Sequence, residues 1–117
     1  MLRTFLKSKI HRATITGSDL HYEGSLTIDI DLMRAANILP HEMVHVYNIS
    51  NGERFTTYAL EGASGSGIIC LNGAAARKGQ KGDLIIITTY ALLDEKEIPG
   101  FKPLMIYVDN QNKIKGE

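Results

Sequence analysis

Apolar residues alternate with polar ones along most of this 117-residue chain, and this period constrains the fold more than any other feature. Over residues 25–30, Leu26, Ile28 and Ile30 share one face while Ser25, Thr27 and Asp29 share the other, as is typical of a β-strand. Similar patterns predict strands over residues 11–16, 43–49, 54–60, 67–71, 83–93 and 103–110. Six or seven short strands predict a mainly β fold, built as a compact β-barrel.

Little helix is predicted between these strands. Asp31 has the character of an N-cap for a short helix over residues 32–38, which Pro40 ends. One side of this helix is predicted to carry Leu32, Ala35, Ala36 and Leu39. A second helical turn is predicted within residues 72–79. The other connections are predicted as a turn at 17–19, a two-residue hairpin turn at 51–52 and a loop over 62–67. Without repeats or linkers, the chain is predicted to form one domain, 1–117.

The composition excludes several classes of function. Lys and Arg total 13 and so do Asp and Glu, so the chain lacks the basic excess that a nucleic-acid partner would favour. No apolar run approaches the roughly 20 residues that span a bilayer, and the charged N-terminus does not resemble a secretory signal. The single cysteine, Cys70, lies in an apolar run and is predicted to be buried; one thiol fits a reducing compartment. We therefore expect a cytoplasmic protein with neither a nucleic-acid nor a membrane partner.

Residues 41–45 read His-Glu-Met-Val-His, which matches the HExxH motif of zinc hydrolases. That motif needs a helix, because only helical spacing brings both imidazoles to one metal ion. The β-favouring residues that follow His45 predict a strand, on which His41 and His45 would lie roughly 13 Å apart. We therefore predict ordinary histidines and no metal, with a zinc hydrolase as a minor alternative.

The glycine-rich stretch Ala-Ser-Gly-Ser-Gly at 63–67 could suggest a phosphate-binding loop. It lacks a following Lys-Ser/Thr pair and does not open a clear helix, so a flexible hairpin loop is the favoured interpretation.

Five segments together resemble one family. They are SKIHRATIT at 8–16, HYEGSLTID at 21–29, NGERFTTY at 51–58, LNGAAARKG at 71–79 and GDLIIITTYA at 82–91. The sequence resembles the pyruvoyl-dependent L-aspartate 1-decarboxylases along nearly its whole length. The resemblance implies a six-stranded double-psi β-barrel with short helices and a cytoplasmic homotetramer. It also implies self-cleavage between Gly24 and Ser25, which gives a β chain, 1–24, and an α chain, 25–117.

The resemblance further implies the cofactor and the reaction. Ser25 would become a covalent pyruvoyl group, whose imine with L-aspartate allows loss of CO2 and yields β-alanine for pantothenate and coenzyme A synthesis. The chain shows no setting for a PLP lysine and is small for a PLP fold, so neither PLP nor a metal is expected. A maturation factor could accelerate the cleavage.

Specific residues take roles by this resemblance. Ser25 and Tyr58 would be catalytic, with Tyr58 donating the proton that Cα needs after CO2 leaves. Thr57 and Asn72 would donate hydrogen bonds to the oxyanion formed during cleavage. Arg54 and Lys9 suit a substrate with two carboxylates. The substrate would also approach Thr57, Gly73, Ala74 and Ala75, and Tyr22 and His11 would have supporting roles.

Taken singly, these residues have simpler interpretations. Arg54, Thr56 and Tyr58 could form a solvated strand face, and Lys9 could be a surface lysine. A non-catalytic small β-barrel that acts as a binding module is therefore the alternative function, since such barrels also serve without catalysis.

Overall fold

A computed structural model describes residues 1–116 of the chain. Its strands are β1 (Leu2–Thr14), β2 (Gly17–Asp19), β3 (Ser25–Asp29), β4 (Met43–Asn48), β5 (Arg54–Gly62), β6 (Ile69–Asn72), β7 (Leu84–Asp94) and β8 (Leu104–Tyr107). Helix α1 (Ile30–Ala35) follows β3, and a 3-10 helix (Gly73–Lys78) follows β6. None of the helices within residues 1–116 is long and apolar enough to cross a bilayer.

The strands hydrogen-bond in the order β2-β6-β3-β5-β4-β7-β1-β8. The pairs β1–β8, β2–β6 and β3–β5 are parallel, and the other neighbours are antiparallel. The predicted mainly β class and the small barrel with short helices are confirmed. The described residues form eight strands rather than the six that the resemblance implies. The alternation over residues 103–110 had predicted β8, so the short strand β2 is the one that the sequence pattern missed. The predicted turn at 17–19 was wrong: these residues form β2 beside β6.

One hydrophobic cluster fills the interior. The predicted alternation is confirmed in β3, where Leu26 and Ile28 are fully buried. Val44 and Val46 of β4 and the isoleucines Ile85 and Ile87 of β7 complete much of the same core. Side chains at the intervening positions of β4 and β7 face the other side of the sheet. Four of them contact or pair with one another and form what we call the outer polar row: His45, Tyr47, Thr88 and Tyr90.

Helix α1 starts and ends earlier than predicted. Asp29, not Asp31, is its N-cap, and the Asp29 carboxylate accepts a hydrogen bond from the Asp31 backbone N–H at 2.9 Å. The helix ends at Ala35, and Asn37 adopts a positive φ of 55°, a conformation that asparagine tolerates better than most residues. Leu39 is exposed, so its predicted place on the buried side of the helix was also wrong.

The predicted hairpin between β4 and β5 is present, but its loop comprises residues 49–53 rather than two residues. The Asn48 backbone N–H donates to the Glu53 carbonyl, and the Asn48 side-chain oxygen accepts from the Ser50 N–H at 2.9 Å. Gly52 supplies a positive φ of 80°. The buried Asn48 amide therefore stabilises the longer loop.

Candidate active site

Ser25 is the first residue of β3 and is fully buried. It lies opposite Asn72, the last residue of the antiparallel strand β6. The Asn72 side-chain Nδ2 donates a hydrogen bond to Ser25 Oγ at 2.8 Å, whereas the nearest acceptor for the serine proton is the Glu23 carbonyl at 3.4 Å. The serine oxygen is therefore held by a donor, while its proton is only weakly engaged.

The Asn72 amide is the centre of a small buried network. Its Nδ2 also donates to Thr27 Oγ1 at 2.9 Å, and its Oδ1 accepts from the Cys70 thiol with an S–O distance of 3.3 Å. Asn72 itself is only 3% exposed. Because a buried amide is costly to leave unpaired, these three partners fix its position.

Gly73 packs against the peptide that precedes Ser25. A Cβ built on Gly73 would lie 2.7 Å from both the Cα and the nitrogen of Gly24, and 2.8 Å from the Tyr22 carbonyl. Gly73 also has a φ of 62°, which favours glycine. Gly24 is exposed, and nothing within 4 Å would meet a Cβ there. The Gly24–Ser25 peptide bond therefore joins a solvent-exposed residue to a buried one.

Strand β5 brings Thr57 and Tyr58 towards the same bond. It runs parallel to β3 with Leu26 opposite Ala59, and continuing this register by one and two residues places Tyr58 beside Ser25 and Thr57 beside Gly24. The two side chains leave opposite faces of the strand. The half-buried Tyr58 ring stacks on His41 with 6.0 Å between ring centroids.

Arg54 is the first residue of β5, on the same face as Tyr58, and it pairs with Tyr47 of the outer polar row. Its guanidinium carbon lies 4.0 Å from the centre of the Tyr47 ring, which is within cation–π range. The Tyr47 hydroxyl is 2.7 Å from the Tyr90 hydroxyl. Burial acts to raise the pKa of Tyr47, but hydrogen bonds from Thr88 and Tyr90 and the nearby Arg54 charge outweigh it, so the pKa is lowered.

Lys9 and His11 lie on β1, which is separated from β3 by β5, β4 and β7. Lys9 pairs with Thr88, which in turn pairs with His45, whereas Arg54 pairs with Tyr47, two residues further along β4. His11 packs edge-on against Tyr107 with 5.8 Å between ring centroids, and its buried Nδ1 has no hydrogen-bond partner within residues 1–116. Burial, with the Lys9 and Arg12 charges, lowers the pKa of His11.

The remaining predicted residues are Ala74, Ala75 and Tyr22. Ala74 and Ala75 open the 3-10 helix directly after Gly73; Ala74 is exposed and Ala75 is buried. Tyr22 is exposed, and its carbonyl is the group that a Gly73 side chain would meet. Within one chain, Asn72 and Gly73 contact the Gly24–Ser25 segment directly, and the β3–β5 register continued by two residues places Thr57 and Tyr58 alongside it. Arg54 lies four residues before Tyr58 on β5. The structure leaves Lys9 and His11 on a distant strand.

Comparison with known proteins assigns this arrangement to a family. A model of the family described as "Aspartate decarboxylase" matches residues 1–115. The chain belongs to the aspartate decarboxylase family. It is 60% identical over 115 residues to a Syntrophus aciditrophicus protein, covering 98% of this chain and 99% of that protein. A Burkholderia pseudomallei protein is 57% identical over 117 residues, covering 99% and 91%, and an Albidiferax ferrireducens protein is 56% identical over 115 residues, covering 98% and 85%. All three are named aspartate 1-decarboxylase.

Residues 41–45 do not form the helix that a zinc-binding HExxH motif needs. His41 has a φ of 73° and precedes β4, whereas His45 lies on β4 and packs edge-on against Tyr90 at 4.9 Å. Glu42 forms an ion pair with Lys7 at 2.5 Å. Across residues 1–116, no group of three His, Cys, Asp or Glu side chains is arranged to hold a metal ion.

The loop at 63–67 uses its backbone to hold a carboxylate of the chain itself. The N–H groups of Gly65 and Gly67 donate to the Asp29 carboxylate at 3.3 and 2.8 Å. Burial raises the pKa of Asp29, but these bonds and the one from Asp31 outweigh it and lower the pKa below its usual value. The donors that a phosphate would need are therefore already engaged.

Sequence reasoning missed three residues beside the site. Thr27 lies two residues after Ser25 on β3, so the two side chains share one face of the strand. The alternation of β3 could therefore have indicated Thr27 as a neighbour of Ser25. Cys70 was predicted to be buried, but it is half-buried and its thiol faces Asn72. The Tyr47 ring packs against the Arg54 guanidinium. This contact depends on the register between β4 and β5, which the sequence alone does not give.

Proposed function

We propose that this chain converts L-aspartate to β-alanine and CO2 with a pyruvoyl group that it makes from its own Ser25. The proposal rests on family membership and on one observation above all: the buried Ser25 hydroxyl accepts a hydrogen bond from Asn72 directly beside the open Gly24 residue. A serine used only for structure would not need an exposed glycine before it and a side-chain-free glycine packed against that peptide.

Self-cleavage would begin with attack of Ser25 Oγ on the Gly24 carbonyl carbon. The Oγ proton leaves, a C–O bond forms, and the C–N peptide bond breaks as the nitrogen takes up a proton, so that an ester replaces the amide. Loss of the Ser25 Cα proton then breaks the Cβ–Oγ bond and releases the Gly24 carboxylate. Water finally replaces the nitrogen of the resulting dehydroalanine with oxygen and releases ammonia.

The neighbouring residues suit this first reaction. Negative charge develops on the Gly24 carbonyl oxygen, and a hydroxyl donor at Thr57 would stabilise it. Asn72 was also predicted to donate to that oxyanion; here its Nδ2 donates instead to Ser25 Oγ. We therefore propose that Asn72 positions the attacking oxygen. Because Gly73 has no side chain, the Gly24 peptide can pack against it without a clash.

A pyruvoyl group at position 25 supplies the electron sink that loss of CO2 from an α-amino acid requires. The surrounding residues fit such a group, because Asn72 and Thr27 present polar atoms beside residue 25. Arg54 would bind the carboxylate that stays, since firm binding of the departing carboxylate would oppose its loss. Tyr58 lies beside residue 25 when the β3–β5 register is continued by one residue, and it would protonate the substrate Cα after CO2 leaves.

We further propose a cytoplasmic homotetramer that supplies β-alanine for pantothenate and coenzyme A synthesis, with a maturation factor as a partner that accelerates cleavage. Large apolar side chains remain exposed in one chain, among them Leu2, Leu39, Met43 and Leu92. Burial of such residues between copies would stabilise an oligomer of this small domain. Light scattering on the purified protein measures the number of chains.

Intact mass spectrometry tests the proposed function. The wild-type protein should give two pieces, residues 1–24 and 25–117, and the larger should be about 17 Da lighter than simple hydrolysis would leave it. Ser25→Ala should remain one chain and should form no β-alanine from aspartate. A wild-type chain that stays intact after long warming, with and without cell extract, would contradict the cleavage and favour a non-catalytic barrel.

A further inference from the structure

Cys70 lies on β6, two residues before Asn72, and its half-buried side chain donates to the buried network around Asn72. Its Sγ is 3.3 Å from Asn72 Oδ1, and its other acceptor, the Leu71 carbonyl, is 4.0 Å away. In the part of the chain that the structure describes, the thiol is the only hydrogen-bond donor to Asn72 Oδ1. The Asn72 carbonyl oxygen therefore depends on Cys70 for its partner.

This dependence matters because an asparagine amide can rotate by half a turn and exchange its oxygen for its nitrogen. The two hydroxyls that contact Asn72 Nδ2, on Ser25 and Thr27, cannot select one orientation, since a hydroxyl both donates and accepts. A protonated thiol donates better than its sulfur accepts from an amide. It therefore favours the orientation with the oxygen towards Cys70 and the nitrogen towards Ser25.

We propose that Cys70 is a positioning residue for self-cleavage: its S–H donates to Asn72 Oδ1 and so keeps Asn72 Nδ2 directed at Ser25 Oγ. This inference rests on the proposed function, because the step that it affects is the attack of Ser25 on Gly24. Cys70 touches no reacting atom itself.

The orientation of the amide affects how easily Ser25 loses its proton. With Nδ2 towards Ser25, the serine oxygen accepts a hydrogen bond, and the donor stabilises the negative charge that grows on Oγ as the proton leaves. With Oδ1 towards Ser25, the serine hydroxyl would instead donate to the amide oxygen and keep its proton. The thiol thus favours the reactive arrangement.

The thiol is suited to remain a donor at neutral pH. Burial and the nearby Asp19 carboxylate both raise the pKa of Cys70. Asp19 lies on β2, where it pairs with Asn72 across the β2–β6 ladder. A thiolate at this position could only accept hydrogen bonds and would turn the amide the other way.

Cleavage rates of Cys70→Ser and Cys70→Ala test the proposal. These two variants differ by a single hydroxyl donor, so they form a matched pair. We expect Cys70→Ala to cleave about 2- to 10-fold more slowly than wild type, the range for one hydrogen bond, and Cys70→Ser to stay within about 2-fold of wild type. In an Asn72→Ala background, Cys70→Ala should slow cleavage no further. Equal rates for the serine and alanine variants, or an unchanged effect without Asn72, would overturn the proposal.

An infrared measurement tests the hydrogen bond without any turnover. The S–H stretch falls in a spectral region that other protein groups leave clear, and the chain has one cysteine, so the band belongs to Cys70 alone. In the uncleaved Ser25→Ala protein, adding Asn72→Ala should move the band to higher frequency because the thiol loses its acceptor. An unmoved band would show that no such bond exists. If the band moves but wild type never cleaves, the bond stands, and both the positioning role and the proposed self-cleavage fall.

Discussion

A methyl group on the Gly73 α carbon would lie 2.7 Å from the Gly24 backbone, closer than a carbon atom can approach without displacing its neighbour. The residue that follows β6 therefore defines the space available to the peptide that precedes β3. Because Asn72 is the next residue back and binds Ser25, one short segment both leaves room for Gly24 and holds Ser25.

We expect Gly73→Ala to block or greatly slow self-cleavage, because the added methyl group displaces Gly24 from Ser25 Oγ. Gly100→Ala is the matched control: Gly100 also has a positive φ, 87°, but nothing within 4 Å would meet its Cβ. Both variants should lose about 1 kcal/mol of stability from backbone strain, and Gly73→Ala should lose more because its methyl group also collides with Gly24. Intact mass after incubation should show cleavage only in the control, and equal cleavage in both would mean that the close contact does not matter.

Thr57 and Tyr58 should act on different reactions, because adjacent residues on a strand face opposite sides. Tyr58→Phe should still cleave but should lower the kcat for aspartate by roughly 100-fold or more through loss of the proton donor. Thr57→Val should instead slow cleavage, since its methyl group cannot donate to the oxyanion. Mass spectrometry and β-alanine assays separate the two effects; near-normal cleavage and turnover in both variants would show that these roles are misassigned.

The fold could be predicted from sequence where one face of an element is buried. Alternation located β3, β4 and β7 because burial of every second residue leaves a period in the sequence. It missed the first nine residues of β1, whose outer face is charged and whose pairing partners lie on β7 and β8. Likewise, Asp29 and Asp31 are equivalent as N-cap residues in sequence. Only the loop at 63–67, distant along the chain, selects Asp29.

The site could be predicted only through the resemblance, because its residues come from three strands. The Gly24–Ser25 pair occurs in many turns, and no local pattern joins it to Asn72. The β3–β6 register makes that connection, and register depends on the whole sheet. The contacts of Cys70 and Tyr47 depend on the same pairing, so no local motif indicated them.

Asp29 should make the stability of the fold depend on pH. Its pKa is lowered in the folded state, so its contribution is present above the unfolded value of about 4 and is lost as the pH falls through the lower folded value. Asp29→Asn keeps the shape but removes the charge that the Gly65 and Gly67 N–H groups bind. Urea denaturation should show a loss of about 1–2 kcal/mol at pH 7 and a smaller difference near pH 3. Asp31→Asn is the control, and a difference for Asp29→Asn that does not shrink at low pH would contradict this role.

Arg54 should select a substrate with a second carboxylate. Aspartate differs from alanine by its β-carboxylate, and a guanidinium can form two parallel hydrogen bonds with that group, whereas lysine offers a point charge. The Tyr47 ring, 4.0 Å from the guanidinium carbon, restricts the plane in which Arg54 can present its donors. Tyr47→Leu should therefore raise the KM for aspartate by about 2- to 5-fold, the range for an exposed cation–π contact.

In protein confirmed as fully cleaved, Arg54→Lys should lose about 10- to 150-fold in kcat/KM for aspartate, which corresponds to one hydrogen bond to a charged group. Arg54→Ala should lose more and should also lose its preference for aspartate over uncharged amino acids. The check on cleavage is essential, because incomplete maturation would lower kcat in the same way. If fully cleaved Arg54→Ala keeps the wild-type kcat/KM, Arg54 does not bind the β-carboxylate. Lys9, the other predicted cation for the substrate carboxylates, would then be the residue to replace next.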